Sequence, residues 1–156
     1  MKRSLLAAAF LPLLCAAQLN KQTHWDSLFS RYIHLGDSCY ADRSAARYYY
    51  GQALDVKYWS DAAQFRYDHA GRKFDEHVDR FFEYDDVGDY CRKDHCTNAA
   101  MRFFLNALYE ARQSECRQLK HSRYYRHTKR KIRGLVRYEP HLKKYRWEFV
   151  PGFEEK

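Results

Sequence analysis

Between Cys96 and Cys116 the chain reads TNAAMRFFLNALYEARQSE (97–115). Ala100, Phe103, Phe104, Ala107, Leu108 and Ala111 recur three and four residues apart, a spacing that stacks side chains on one face of an α-helix. Thr97 opens this run, and no glycine or proline interrupts it. The stretch predicts an amphipathic helix and sets the fold class as mainly α. It also constrains the cysteines around it. If one unbroken helix runs from Thr97 to Leu119, Cys96 and Cys116 lie roughly 30 Å apart at ~1.5 Å rise per residue. A disulfide needs Cα atoms within about 7 Å. Cys91 reaches at most ~18 Å from Cys96 even when fully extended, so it cannot meet Cys116 either. The pairing that remains is Cys91–Cys96 with Cys39–Cys116. The first would clip the loop CRKDHC (91–96), and the second would tie the N-terminal half to the end of the long helix.

Working toward the N-terminus, most apolar spacing is again helical. In THWDSLFSRYI (23–33), Trp25, Leu28, Phe29, Tyr32 and Ile33 form a stripe, Thr23 is a candidate N-cap, and Gly36 is the expected end. Ser44 is positioned to cap a second helix through AARYYYGQAL (45–54). Val56, Trp59, Ala63, Tyr67 and Ala70 form a further stripe. After Gly71, Phe74, Val78, Phe81 and Phe82 resume it. The first seventeen residues have a different character. Lys2 and Arg3 precede the apolar LLAAAFLPLLCAA (5–17), which ends in small residues. That pattern reads as a secretory signal peptide with cleavage after Ala17, too short and wrongly flanked for a transmembrane helix. The expected product is secreted and extracellular, with no transmembrane segment. In an oxidising compartment an even count of cysteines favours two disulfides. The Cys91–Cys96 spacing is also a zinc-like one, but no second close ligand pair accompanies it.

Charge divides the remaining chain. Residues 18–116 carry 13 basic and 16 acidic residues, net −3, whereas residues 117–146 carry 12 basic residues and the single acid Glu139, net +11. The expected organisation is a leader (1–17), a small disulfide-tied helical domain (18–116) and a basic C-terminal arm (117–156). Within the arm, LVRYE (135–139) and YRWEFV (145–150) alternate and are rich in strand formers. They read either as a β-hairpin or as an extended tail.

Candidate chemistry concentrates in YWSDAAQFRYDH (58–69). On a helix Trp59, Ala63 and Tyr67 face a core and Ser60 sits at its edge. Ser60 and His69 are nine residues apart and off one another's face, which speaks against a local Ser–His–Asp triad. In the next helix Asp75, Asp79 and Asp86 border the apolar stripe. Carboxylates so placed suit a cation or a base, although a solvated edge is the commoner outcome.

The order of these features resembles the secreted bacterial and fungal phospholipase A2 family. DSC (37–39) stands where that family has Asp-x-Cys at its calcium loop. SDAAQFR (60–66) stands where the family opens a helix with His-Asp followed by an aromatic–Arg pair. VDRFFEYDDVGDYC (78–91) matches an apolar–Asp pair ahead of a cysteine, and CTNAAMRFFLNAL (96–108) matches a helix with paired aromatics. The resemblance spans roughly residues 28–110. It implies Ser60, Asp61 and Asp79 at the catalytic positions and calcium, the one cofactor implied, at Asp37 and Asp61. The departures are chemical. Ser60 replaces the histidine that deprotonates water, and a serine hydroxyl has no accessible pKa near neutrality. The Pro and Gly residues of the calcium loop and the cysteine before His-Asp are missing. A scaffold without the chemistry is therefore expected, the alternative being an active calcium-dependent phospholipase A2.

In RQLKHSRYYRHTKRKIRGLVRYEPHLKKYRW (117–147) bases interleave with aromatic residues. Such a segment suits an anionic lipid surface, another polyanion including nucleic acid, or a protein partner. Export argues against a genomic nucleic-acid role but not against one after delivery into a host cell. Lys129, Arg130, Lys131 and Arg133 form the densest cluster and are the candidate anion-binding residues. They also resemble a dibasic processing site, with Gly134 beginning a released piece. A solvated face folded back on the acidic domain is the remaining alternative.

Overall fold

The computed structural model describes residues 5–146. The chain divides into two compact units, Met1–Gly71 and Arg72–Lys156. The expected division at Cys116 falls inside the second unit. Unit 1 holds α1 (Leu5–Ser38), α2 (Arg43–Val56) and α3 (Asp61–Asp68). Unit 2 holds α4 (Glu76–Lys93), α5 (Thr97–Gln113), α6 (Arg117–His121), α7 (Arg123–Tyr138) and a closing 3-10 helix, Pro140–Arg146. Among the described residues all regular structure is helical, as the periodicity predicted. No helix among them is long and apolar enough to cross a membrane. Residues 1–4 of the expected leader lie outside the described residues, and from Leu5 the backbone continues within α1.

In unit 1, α1 passes through both Thr23 and Gly36, so neither marks an end. Gly36 is buried because the Tyr50 ring of α2 lies against it, and a Cβ there would overlap the ring. A glycine at this point serves close approach rather than termination. The cap of α2 is Asp42, not Ser44: Asp42 Oδ1 accepts from Ser44 N at 2.9 Å and Ala45 N at 3.1 Å. The stripe predicted from Val56 to Ala70 is broken, because α2 ends at Val56 and α3 starts at Asp61. Ala63 and Phe65 are buried, whereas Trp59 in the intervening turn is 66 % exposed.

Unit 2 is built on the α4–α5 pair. Val78 and Phe81 of α4 meet a core that includes Ala100, Met101, Phe104, Ala107 and Ala111 of α5, all fully buried. Gly88 lets α4 approach, since a Cβ there would come within 2.5 Å of Phe104 Cε1. Asp75 fastens one end of the pair. Its Oδ1 caps α4 through Val78 N at 3.2 Å, and its carboxylate also accepts from Ser114 Oγ at 2.9 Å and Glu115 N at 2.7 Å beyond the end of α5. At the other end the chain turns tightly. His95 adopts φ 60°, Cys96 N donates to Cys91 O at 2.8 Å, and His95 N to Arg92 O at 3.2 Å. This is a Schellman turn, with Cys91 and Cys96 at the two positions whose side chains ordinarily touch.

α5 ends at Gln113 rather than continuing to Leu119. Its 17 residues span about 25 Å along the axis, with Cys96 just before one end and Cys116 just beyond the other. The four cysteines whose side chains are described, Cys39, Cys91, Cys96 and Cys116, are free thiols: Cys39 Sγ donates to Leu35 O, and Cys116 is buried. No β-hairpin is shown among the described residues of the arm. Leu135–Tyr138 form the last turns of α7, and Tyr145 and Arg146 belong to the 3-10 helix. The rest of the expected second strand, 147–150, lies outside the described residues. Helical period prevails because Tyr124, Tyr125, Thr128, Ile132 and Leu135 bury one continuous face of α7, which two alternating residues cannot outweigh.

Candidate anion-binding face

Ser122 starts α7. Its Oγ accepts from Tyr125 N at 3.1 Å, satisfying one of the helix's open N–H groups. Successive residues step about 100° around the axis. The buried residues Tyr124, Tyr125, Thr128, Lys131, Ile132 and Leu135 therefore fill an arc of about 120°. Arg123, Arg126, Arg130, Arg133 and Arg137, spaced 3-4-3-4, fill an arc of about 80° centred opposite them. All five are exposed. The row runs about 21 Å along the helix. Arg126 Nε donates to Ser122 O at 3.4 Å, and Arg123 is held to Tyr124 Oη at 2.8 Å. Arg130, Arg133 and Arg137 have no acidic partner among the described residues.

What turns this face outward is a buried charge cluster. Lys131 is 8 % exposed. Its Nζ donates to Asp85 Oδ2 at 2.7 Å and to Asp89 Oδ2 at 2.5 Å, and lies 5.2 Å from the Phe104 ring centroid. Thr128 Oγ1 donates to Asp85 Oδ1 at 2.9 Å. A buried ammonium is tolerable only with such partners. Lys131 is thus the one member of the sequence-derived cluster that faces inward, spent on α4. Lys129 lies over the Tyr125 ring at 4.7 Å. Arg130 and Arg133 face outward as expected. Sequence reasoning missed Arg123, Arg126 and Arg137, although their spacing was present. Local density of basic residues drew attention to 129–133, whereas the face is defined by period.

The family-matched residues are arranged differently. Ser60 is the N-cap of α3, its Oγ accepting from Ala63 N at 3.3 Å. Asp61 follows in the first turn of α3, where a carboxylate suits the helix dipole. Asp37 is held by protein groups: Tyr50 Oη donates to its Oδ1 at 2.7 Å and Arg66 Nε at 3.1 Å. Arg66 is 1 % exposed. Burial, reinforced by the bond to Asp37, holds the Tyr50 phenol far above its ordinary pKa. Asp79 belongs to unit 2, exposed in the first turn of α4. No group of three or more metal-ligating side chains occurs among the described residues.

Unit 2 also has a hollow of about 450 Å³ lined by Lys73, Asp75, Glu76, His77, Gln113 and Glu115. Two of its groups already have structural tasks. Asp75 joins α4 to the end of α5, and His77 Nδ1 lies 2.7 Å from Glu110 Oε2. Compared with known proteins, the chain matches no family model, no curated protein sequence and no solved structure.

Proposed function

We propose that this chain is a secreted binding protein whose working surface is the outer face of α7, and that the surface takes polyanions. The observation that carries this is the row of five exposed arginines set opposite the buried face of the same helix. Because Ile132 and Leu135 are committed to the core, the row is held in place before any ligand arrives, which lowers the ordering cost of binding. The same commitment argues against insertion of α7 into a bilayer, since an interfacial helix must offer its apolar face to lipid. Each exposed base contributes about 1 kcal/mol toward a densely anionic surface.

A polyanion matrix such as heparin, eluted with a salt gradient, tests this. Arg126, Arg130, Arg133 and Arg137 replaced together by Gln should elute far earlier than the parent. Replacing four exposed bases elsewhere, Arg43, Arg72, Lys73 and Lys93, removes the same charge and should shift elution much less. Equal shifts in the two variants would mean that net charge acts and the face does not.

A further inference from the structure

We infer that the polyanion is single-stranded nucleic acid, its phosphodiester backbone lying along Arg123–Arg137 and one base stacked on Tyr138, an inference that rests on the polyanion reading of the α7 face. Two observations carry it. The row is composed wholly of arginine, whose planar fork matches a phosphate bidentately and is less tightly hydrated than an ammonium. Tyr138 follows Arg137 directly and is 85 % exposed, the highest value among the large apolar and aromatic side chains described. It stands at the end of the row, about 100° around the helix from Arg137. A lipid surface or an inorganic polyphosphate offers nothing to stack on an aromatic ring, whereas every nucleobase has a π-face. A row about 21 Å long suits a strand that can follow a helix axis. The apolar groups that would anchor a bilayer are absent from the outward arc before Tyr138.

Fluorescence anisotropy on the full chain separates the alternatives. The probes are an oligothymidylate of about 12 nucleotides, inorganic polyphosphate of matched charge, and phosphatidylserine vesicles. Five phosphate contacts predict a slope of log K against log salt near −3.5 for the oligonucleotide, falling to about −1.4 when Arg130, Arg133 and Arg137 are replaced by Gln. Tyr138→Ala should weaken the oligonucleotide roughly ten-fold or more while leaving polyphosphate unchanged, and Tyr138→Trp should retain binding. Circular dichroism verifies that each variant keeps its helices. If Tyr138→Ala binds the oligonucleotide as the parent does, or if vesicles and polyphosphate bind as tightly, nucleic-acid recognition is refuted and the polyanion reading stands. If no probe binds, both fall.

Discussion

Three buried residues decide more than their neighbours. Lys131, 6 % exposed at its side chain, pairs with both Asp85 and Asp89, the latter also met by Arg92. Lys131→Ala leaves Asp85 with only Thr128 for company, and removing one partner of such a pair costs about 3–5 kcal/mol. Urea midpoints should fall accordingly, while Arg130→Gln and Arg133→Gln stay within about 0.5 kcal/mol of the parent. Gly88 is sensitive for a steric reason: Gly88→Ala forces a methyl against Phe104 and should cost about 1–3 kcal/mol, partly recovered by Phe104→Leu. Tyr50 brings a pH dependence. Its phenol is held above its ordinary value, chiefly by burial, so the folded form keeps a proton that the unfolded chain releases near pH ~10. The associated stability is fully present below that pH and is lost as pH rises beyond it. Denaturant midpoints should drop from about pH 10 upward, and Tyr50→Phe should flatten the drop while lowering the neutral-pH midpoint through the lost bond to Asp37.

At the scale of elements, α4 and α5 are joined at both ends by different chemistry. Asp75→Ala removes a helix cap and the bonds to Ser114 and Glu115, and should cost at least about 2 kcal/mol. At the opposite end the Schellman turn brings Cys91 and Cys96 together in the backbone. Under mild oxidation this pair should form a disulfide, seen as a loss of two hydrogens in the peptide spanning 91–96. Closing so short a loop adds ~2 kcal/mol. A peptide in which both cysteines remain alkylatable after oxidation would mean the turn holds them apart. The helices themselves were unequally legible in the sequence. α5 was readable because its buried residues are nearly all apolar. α7 was not, because Thr128 and Lys131 lie in its buried arc and make the face look polar. The break at Lys57–Ser60 was hidden by Trp59, which matches the apolar period and yet lies outside the core.

Across the whole molecule, the contrast between acidic and basic regions does not coincide with the division into compact units. Residues 117–146 carry net +11 and read as an appendage, but Leu119, Ile132, Leu135 and Leu142 are buried within unit 2. Charge records what faces solvent, whereas the core depends on a few apolar residues between the charges. A chain ending at Cys116 should therefore lose cooperative unfolding of α4 and α5, rather than behave as the parent minus a tail. Cleavage at the dibasic stretch should be slow for the same reason, with Lys131 and Ile132 buried. Brief trypsin treatment, read by mass spectrometry, should cut last between 129 and 133. The candidate site was half legible: Arg130 and Arg133, named from the sequence, do lie exposed on the outer arc of α7, but the face they belong to emerges only once residues are placed on a helix whose inner side is known.

Gly134 remains, in the middle of α7 with nothing within 4 Å of where a Cβ would stand. Neither a close neighbour nor a turn requires a glycine there, and in a helix interior it forfeits about 1 kcal/mol relative to alanine. Anyone engineering a hardier version would choose Gly134→Ala first and expect a gain of that size. The position also lies beside the arginine row, where a missing side chain leaves room for a phosphate to come close to the flanking guanidinium groups. On the proposed reading, thermal endurance and grip on a polyanion are set against each other at one residue, and a variant that melts later should hold an oligonucleotide probe less well.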